Sequence, residues 1–328
     1  MDRILGIDIG GTDVKTGIVS VDGSIESRGT IETKPGEGPD ALAGRVRDWY
    51  KENLAGNPPV SVAGLGCAGL VDSSRGFLYN SPNLEGWTDV PLGKIFGEKL
   101  GMSVTVENDV NAAVWGEYLF GSGRGTSSFV ALTLGTGVGG GIVLDGSLYR
   151  GASGLAGEIG HHVILADGPR CACGSRGCLE ALIGSPAIRA RATRKSSGTE
   201  SLLAGGKDHS VKEIYEAAAR GDVAAIETFE ETGRYLGIGL ANIVHILNPD
   251  RIAIGGGVAG AGEMMLGPAR ESMKKHLMGD ILRDVDVVPA VLGNAASFSG
   301  VAMLAAAEAG LMNAGRRETK RPVDGEVD

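Results

Sequence analysis

Short apolar runs separated by glycine turns open the chain. Residues 4–9 stop at Gly10-Gly11-Thr12, residues 14–21 stop at Asp22-Gly23, and residues 24–33 continue as a third run. Runs of this length with such boundaries predict three strands. An Asp-Gly pair between two strands predicts a hairpin with a type I′ turn, which needs positive φ at both central positions. The same order returns at residues 129–134, Gly135-Thr136-Gly137, 138–144, Asp145-Gly146 and 147–149. One architectural unit is therefore used twice.

Helical spacing follows each copy, at residues 40–54 after the first and at 185–195, 211–220 and 223–247 after the second. Residues 60–67, 104–107 and 251–254 read as further buried strands. This alternation predicts an α/β fold in which largely parallel strands extend each unit, giving two similar lobes with a central cleft. The lobe boundary falls in the helix-like stretch 109–121. The N-terminal lobe is expected at 1–112 and the C-terminal lobe at 113–297, with the apolar helix 298–312 packing back on the first. Residues 193–210, polar and glycine-rich, read as a mobile surface loop, and the charged, aperiodic stretch 316–328 as a solvated tail.

A length of 328 residues suits two domains. No stretch approaches the ~18 uncharged apolar residues of a membrane span. Met1-Asp2-Arg3 leads straight into the first strand without the parts of a signal peptide, so a soluble cytoplasmic protein with no membrane partner is expected. The net charge of −9 weighs against a nucleic-acid partner.

The glycines carry the first chemical signal. In Asp8-Ile9-Gly10-Gly11-Thr12-Asp13-Val14-Lys15 an acid ends a strand, and two glycines, a hydroxyl and a lysine follow. Glycines let backbone N–H groups face phosphate oxygens, Thr12 adds a donor, and Asp8 suits Mg²⁺. The plain alternative is a glycine hairpin with a buried Asp8. The second loop at Gly135-Thr136-Gly137 weakens that alternative, because two loops across a cleft would grip a triphosphate from both sides. Residues 135–140 and 255–260 also match G-x-G-x-x-G. The first match runs into a strand instead of a helix, and the second lacks the acid expected about 20 residues on, which disfavours a nicotinamide dehydrogenase. No G-x-x-x-x-G-K-[ST] is present, so a Walker-type nucleotidase is not supported.

Glu107-Asn108-Asp109-Val110-Asn111-Ala112-Ala113 ends a strand and begins a helix. Asp109 there fits a general base that takes a proton from an attacking hydroxyl, and fits a helix N-cap equally well. Cys171, Cys173 and Cys178 lie within eight residues, whereas Cys67 stands alone in an apolar run. In a cytoplasmic protein the cluster points to structural zinc with three thiolates and one histidine more than to a disulfide. His161 and His162, ten and nine residues before Cys171, are the candidates for the fourth ligand. Adjacent side chains on an extended segment point oppositely, so only one serves.

These segments resemble the ROK group of sugar kinases and sugar-responsive repressors, within the actin-like sugar kinases. Asp8 to Lys15 is similar to its first phosphate motif, residues 135–141 to its second, and Gly255-Gly256-Gly257 to its adenosine motif. The resemblance runs over about residues 4–312 and is greatest toward the glucokinases of the group. It implies two ribonuclease-H-like lobes closing over ATP and a hexose. It also implies Asp109 as the base and His161, in Gly160-His161, as the zinc ligand, with the other nitrogen of that ring free to meet the sugar. Sugar hydroxyls need several converging polar groups. Asn83, Asn108, Glu158, His161 and Glu180 are the candidates, with backbone contact from Gly69. Glucose is the expected acceptor. N-acetylglucosamine, N-acetylmannosamine, mannose and fructose are its alternatives, and polyphosphate is the alternative donor. A homodimer or homotetramer is implied. The repressors of the group carry a helix-turn-helix domain ahead of the kinase-like body, and a first phosphate strand at residue 4 disfavours that function. A sugar-binding module without catalysis is disfavoured by the presence of Asp8, Asp109 and both glycine loops.

Overall fold

The computed structural model describes residues 2–54, 58–205, 207–279 and 285–312. The expected tail at 316–328 lies outside the described residues. Strands β1 (Arg3–Ile9), β2 (Asp13–Ser20) and β3 (Ile25–Glu32) form an antiparallel meander. Helix α1 (Gly38–Leu54) then returns the chain to β4 (Val62–Cys67), parallel to β1. Three short strands, β5 (Leu70–Asp72), β6 (Phe77–Asn80) and β7 (Thr88–Val90), form a separate small sheet. Helix α2 (Leu92–Leu100) and β8 (Ser103–Asn108), parallel to β4, complete the first sheet in the order β3-β2-β1-β4-β8.

Helix α3 (Asp109–Phe120) leads to β9 (Phe129–Leu134), β10 (Val138–Leu144) and β11 (Ser147–Leu148). Helices α4 (Leu179–Ile183), α5 (Ser185–Ser196), α6 (Val211–Ala219) and α7 (Val223–Leu247) precede β12 (Arg251–Gly255). Helix α8 (Glu263–His276), β13 (Asp286–Pro289) and α9 (Ala296–Glu308) follow. The second sheet has the order β11-β10-β9-β12-β13, matching the first strand for strand. The central strands β1, β4, β9 and β12 are buried along almost their whole length, as strands covered on both faces must be.

Helix α9 follows the second sheet in sequence yet packs on the first, where Phe298 and Ala302 join Ile4, Val19 and Val62 in one core cluster. Its residues 296–306 are all buried. Small side chains allow this: a methyl group on Gly64 of β4 would overlap the Val301 carbonyl, and one on Gly300 would overlap the Ala112 carbonyl of α3. The helix therefore lies directly on the sheet.

Two local expectations are corrected. At Asp145-Gly146 both residues have positive φ, 49° and 73°, as the type I′ turn requires. At Asp22-Gly23 only Gly23 does, at 89°, and the loop is longer. There the Asp22 carboxylate accepts the N–H and hydroxyl of Ser24, while the Ser20 N–H reaches the Ser24 carbonyl. The stretch 193–210 begins inside α5, and its loop is tied down: Leu203 is buried, and the Ser201 hydroxyl and Leu202 N–H both donate to Asp222.

Candidate active site

In each sheet the parallel strands end at one edge, and in open α/β sheets ligands bind outside those carboxyl ends. β4 runs out into Gly69 and β8 into Asp109, while β9 runs out into Gly135 and β12 into Gly256. A cavity of about 980 Å³ lies between these ends. Gly69, Asn83, Asn108 and Asp109 line it from one side. Gly135, Thr136, Gly137, Gly256 and Gly257 line it from the other, and Glu158, His161 and Glu180 close one end. The expected acceptor residues and the second phosphate loop are thus brought to one space.

The first phosphate segment stands behind that wall. Its loop is tight, with the Gly10 N–H donating to the Asp13 carbonyl and the Thr33 N–H to the Thr12 carbonyl. Gly11 lies against Asn83, and the Lys15 amine donates to Asn294 Oδ1 at 2.9 Å instead of entering the cavity. Asp8 faces Gly66 across β1 and β4. Burial raises its pKa above the usual carboxylate value, against the Ser297 hydroxyl and the Lys15 ammonium, which pull it down. A half-buried carboxylate of this kind suits a cation such as Mg²⁺. Gly255, paired with Thr133, is likewise outside the lining.

The acid turn shows which residue caps the helix. Asn108 is the N-cap of α3: its Oδ1 accepts the N–H groups of Val110 at 2.9 Å and Asn111 at 3.1 Å. Its Nδ2 donates to the Gly69 carbonyl at 3.3 Å. Asp109 is the first helical residue and lines the cavity, the N-cap position being taken by Asn108. Burial and the neighbouring Asp8 charge raise its pKa from 3.8 to about 6, opposed by the backbone N–H groups at the helix start. That places a carboxylate near the value at which a base accepts a proton efficiently at neutral pH.

Sequence reading passed over Asn111, although it stands in the same motif. It is buried, it lines the cavity, its Nδ2 donates to Glu107 at 3.2 Å, and its Oδ1 finds no partner among the described residues. Ser185 was also missed: its N–H and hydroxyl both donate to the Gly135 carbonyl and hold the second glycine loop against the start of α5. No sequence signal pairs residues 50 positions apart.

Glu180 joins that loop to the cysteine cluster. One carboxylate oxygen accepts the Val138 N–H at 3.0 Å, and the other lies 3.4 Å from Cys171 Sγ. A methyl on Gly137 would sit 2.6 Å from Glu180, so the close approach needs glycine. His161, Cys171, Cys173 and Cys178 bring four ligand atoms within 4.8 Å of one another. Cys173 and Cys178 sulfurs are 3.7 Å apart, and Cys171 Sγ lies 3.6 Å from His161 Nδ1. The edge of a tetrahedron around zinc at 2.3 Å from sulfur is about 3.8 Å, so the set fits that ion. Nε2 of His161 points the other way, 3.8 Å from Glu158. His162 is turned into the protein, its Nδ1 against the Ile159 carbonyl.

Residues 4–308 match the ROK family. The chain belongs to that family. It is 38% identical over 314 residues to a glucokinase of Streptomyces coelicolor, covering 93% of this chain and 98% of that one. The crystal structure of a ROK family glucokinase from Streptomyces griseus, in complex with glucose and AMPPNP, superposes with a TM-score of 0.78 at 36% identity, covering 92% of this chain and 99% of that one. A ROK family transcriptional regulator, a homologue of the E. coli MLC protein, superposes with a TM-score of 0.83 at 28% identity, covering 92% of this chain and 77% of that one. Overall shape is therefore shared by ROK kinases and regulators. The higher identity is to the glucokinases.

Proposed function

We propose that the chain is an ATP-dependent glucokinase, a phosphotransferase acting on the 6-hydroxyl of glucose. The observation that carries this reading is the half-buried Asp109 facing a glycine loop across one cavity. Similarity to ROK glucokinases supports it. In the proposed reaction Asp109 accepts the proton of the sugar hydroxyl as that oxygen bonds to the γ-phosphorus, and the bond from phosphorus to the β–γ bridging oxygen breaks to leave ADP. Backbone N–H groups at Thr136 and Gly137 of the second loop, with those at Gly11 and Thr12 of the first, would face the phosphates, while the Gly10 and Gly135 N–H groups hold their own turns through the Asp13 and Gly137 carbonyls. Gly255-Gly256-Gly257 would take the adenosine. Asp8 would hold Mg²⁺, which neutralises charge on the phosphoryl group. Asn83, Asn108, Glu158, His161 and Glu180 would orient the sugar. The zinc held by His161 and the three cysteines would be structural, fixing the ring of His161.

The units 1–112 and 113–297 act in this reading as lobes that close on the substrates, in a cytoplasmic enzyme. No helix among the described residues is long and apolar enough to cross a membrane. The test is a panel of glucose, mannose, fructose, N-acetylglucosamine and N-acetylmannosamine against ATP, ADP and polyphosphate. Glucose with ATP should give the highest kcat/KM. A higher value for an N-acetylhexosamine would reassign the acceptor, and no turnover with any pair would return the chain to sugar sensing.

A further inference from the structure

Glu107 and Arg150 lie outside the cavity lining, yet both are built into its wall. Glu107, the last residue but one of β8, is buried with 1% of its surface exposed. A carboxylate so placed needs partners for both oxygens, and its four donors come from different parts of the molecule. Oε1 accepts the Ser73 hydroxyl at 3.0 Å, from the turn between β5 and β6. It also accepts the Asn108 N–H at 2.9 Å and the Asn111 amide at 3.2 Å, from the turn and helix that carry Asp109. Oε2 receives Arg150 Nε at 2.6 Å. Arg150 follows β11 and so belongs to the second sheet's side of the cleft. Its carbonyl accepts the Ala156 N–H at 3.0 Å, closing a loop whose Gly154, Leu155 and Ala156 line the cavity.

We propose that Arg150 is a positioning residue for phosphoryl transfer: by engaging Glu107 it holds the turn that carries Asp109 in register with the opposite wall of the cavity. The proposal rests on Asp109 being the base. Its physical basis is that proton acceptance tolerates little displacement, whereas nucleotide binding at the glycine loops does not involve this turn. Without the guanidinium, Glu107 is a buried charge lacking its only cationic partner among the described residues, and it must draw its remaining donors, including the Asn108 N–H, toward itself or admit water.

The test is a double-mutant cycle on the full chain at saturating glucose and ATP. Arg150→Met is expected to lower kcat about 10-fold while the KM for ATP moves less than about 2-fold. In an Asp109→Asn background the same change should cost nothing further, because the group it positions is gone. Arg150→Lys, which keeps the charge, should recover kcat to within about 3-fold of the parent. Unchanged kcat in Arg150→Met would overturn the proposal, as would equal losses in both backgrounds or an ATP KM that rises as kcat falls. If Arg150→Met does not fold, Arg150→Gln, which also removes the charge, carries the same comparison: a loss seen only with Asp109 present supports positioning, and no loss or an equal one refutes it. Parental turnover in the Asp109→Asn single mutant would remove the base, and this proposal with it, in a measurement independent of Arg150.

Discussion

At the scale of single residues the proposed chemistry rests on two carboxylates in unequal settings. Asp109→Asn keeps shape and removes proton acceptance, so kcat should fall at least ~10²-fold while ATP and glucose affinities stay near those of the parent. Single-turnover and equilibrium-binding measurements separate the two. The raised pKa also has a thermodynamic sign. Asp109 titrates near 6 in the folded protein and near 3.8 when unfolded, so the folded chain holds this proton more tightly. Its contribution to stability is greatest at low pH and is lost as pH rises from about 4 to about 6. Urea unfolding without nucleotide or magnesium should therefore find Asp109→Asn more stable than the parent at pH 8, with the difference shrinking toward pH 4. For Asp8 the expected partner is the metal, and Asp8→Ala should lower magnesium-dependent turnover far more than it raises the KM for glucose. Equal effects would move Asp8 to a purely structural role.

At the scale of elements the turn from β8 into α3 decides which acid is free. Asn108 takes the cap, and this leaves Asp109 for the cavity. Asn108→Ala should cost about 1 kcal/mol of stability through the lost cap, seen as a lower urea midpoint. Because the freed turn no longer aims Asp109, kcat should fall as well. Asn108→Ser, which restores a capping oxygen but not the bond to Gly69, should recover stability more than turnover. Strands β1, β2, β9 and β10 of the repeated unit were legible in the sequence because each is a run of six to eight apolar-rich residues beside a glycine turn, and β3, an exposed edge strand, because it follows an Asp-Gly turn. The small sheet of β5, β6 and β7 was not legible: strands of three or four residues, broken by Ser73-Ser74 and Pro82, show no period. Yet this sheet brings Gly69 and the Asn83 loop to the cavity.

For the whole molecule, Glu180 ties the His161–cysteine cluster, the proposed zinc site, to the glycine loop at residues 135–137. Elemental analysis should find about one zinc per chain. Cys173→Ser should reduce that content and raise the KM for glucose, or lower stability, before it changes nucleotide binding, since His161 loses its anchor first. Metal-free protein with full activity and an unchanged glucose KM would leave the three cysteines as ordinary thiols.

Local chemistry in the sequence by itself determined the two glycine loops, the acid motif and the cysteine spacing, because each is contiguous and its residue types restrict what the backbone or a metal can do there. It left open whether Asp109 or a neighbour caps α3, and which histidine joins the cysteines. Tertiary structure decided both: Asn108 Oδ1 reaches the helix N–H groups, and His161 turns Nδ1 toward Cys171 while His162 turns inward. It alone placed Arg150 on Glu107 and Ser185 on Gly135, pairs 43 and 50 residues apart. Such contacts follow from the parallel crossovers that bring distant strand ends to one edge, and no local pattern of residues encodes them.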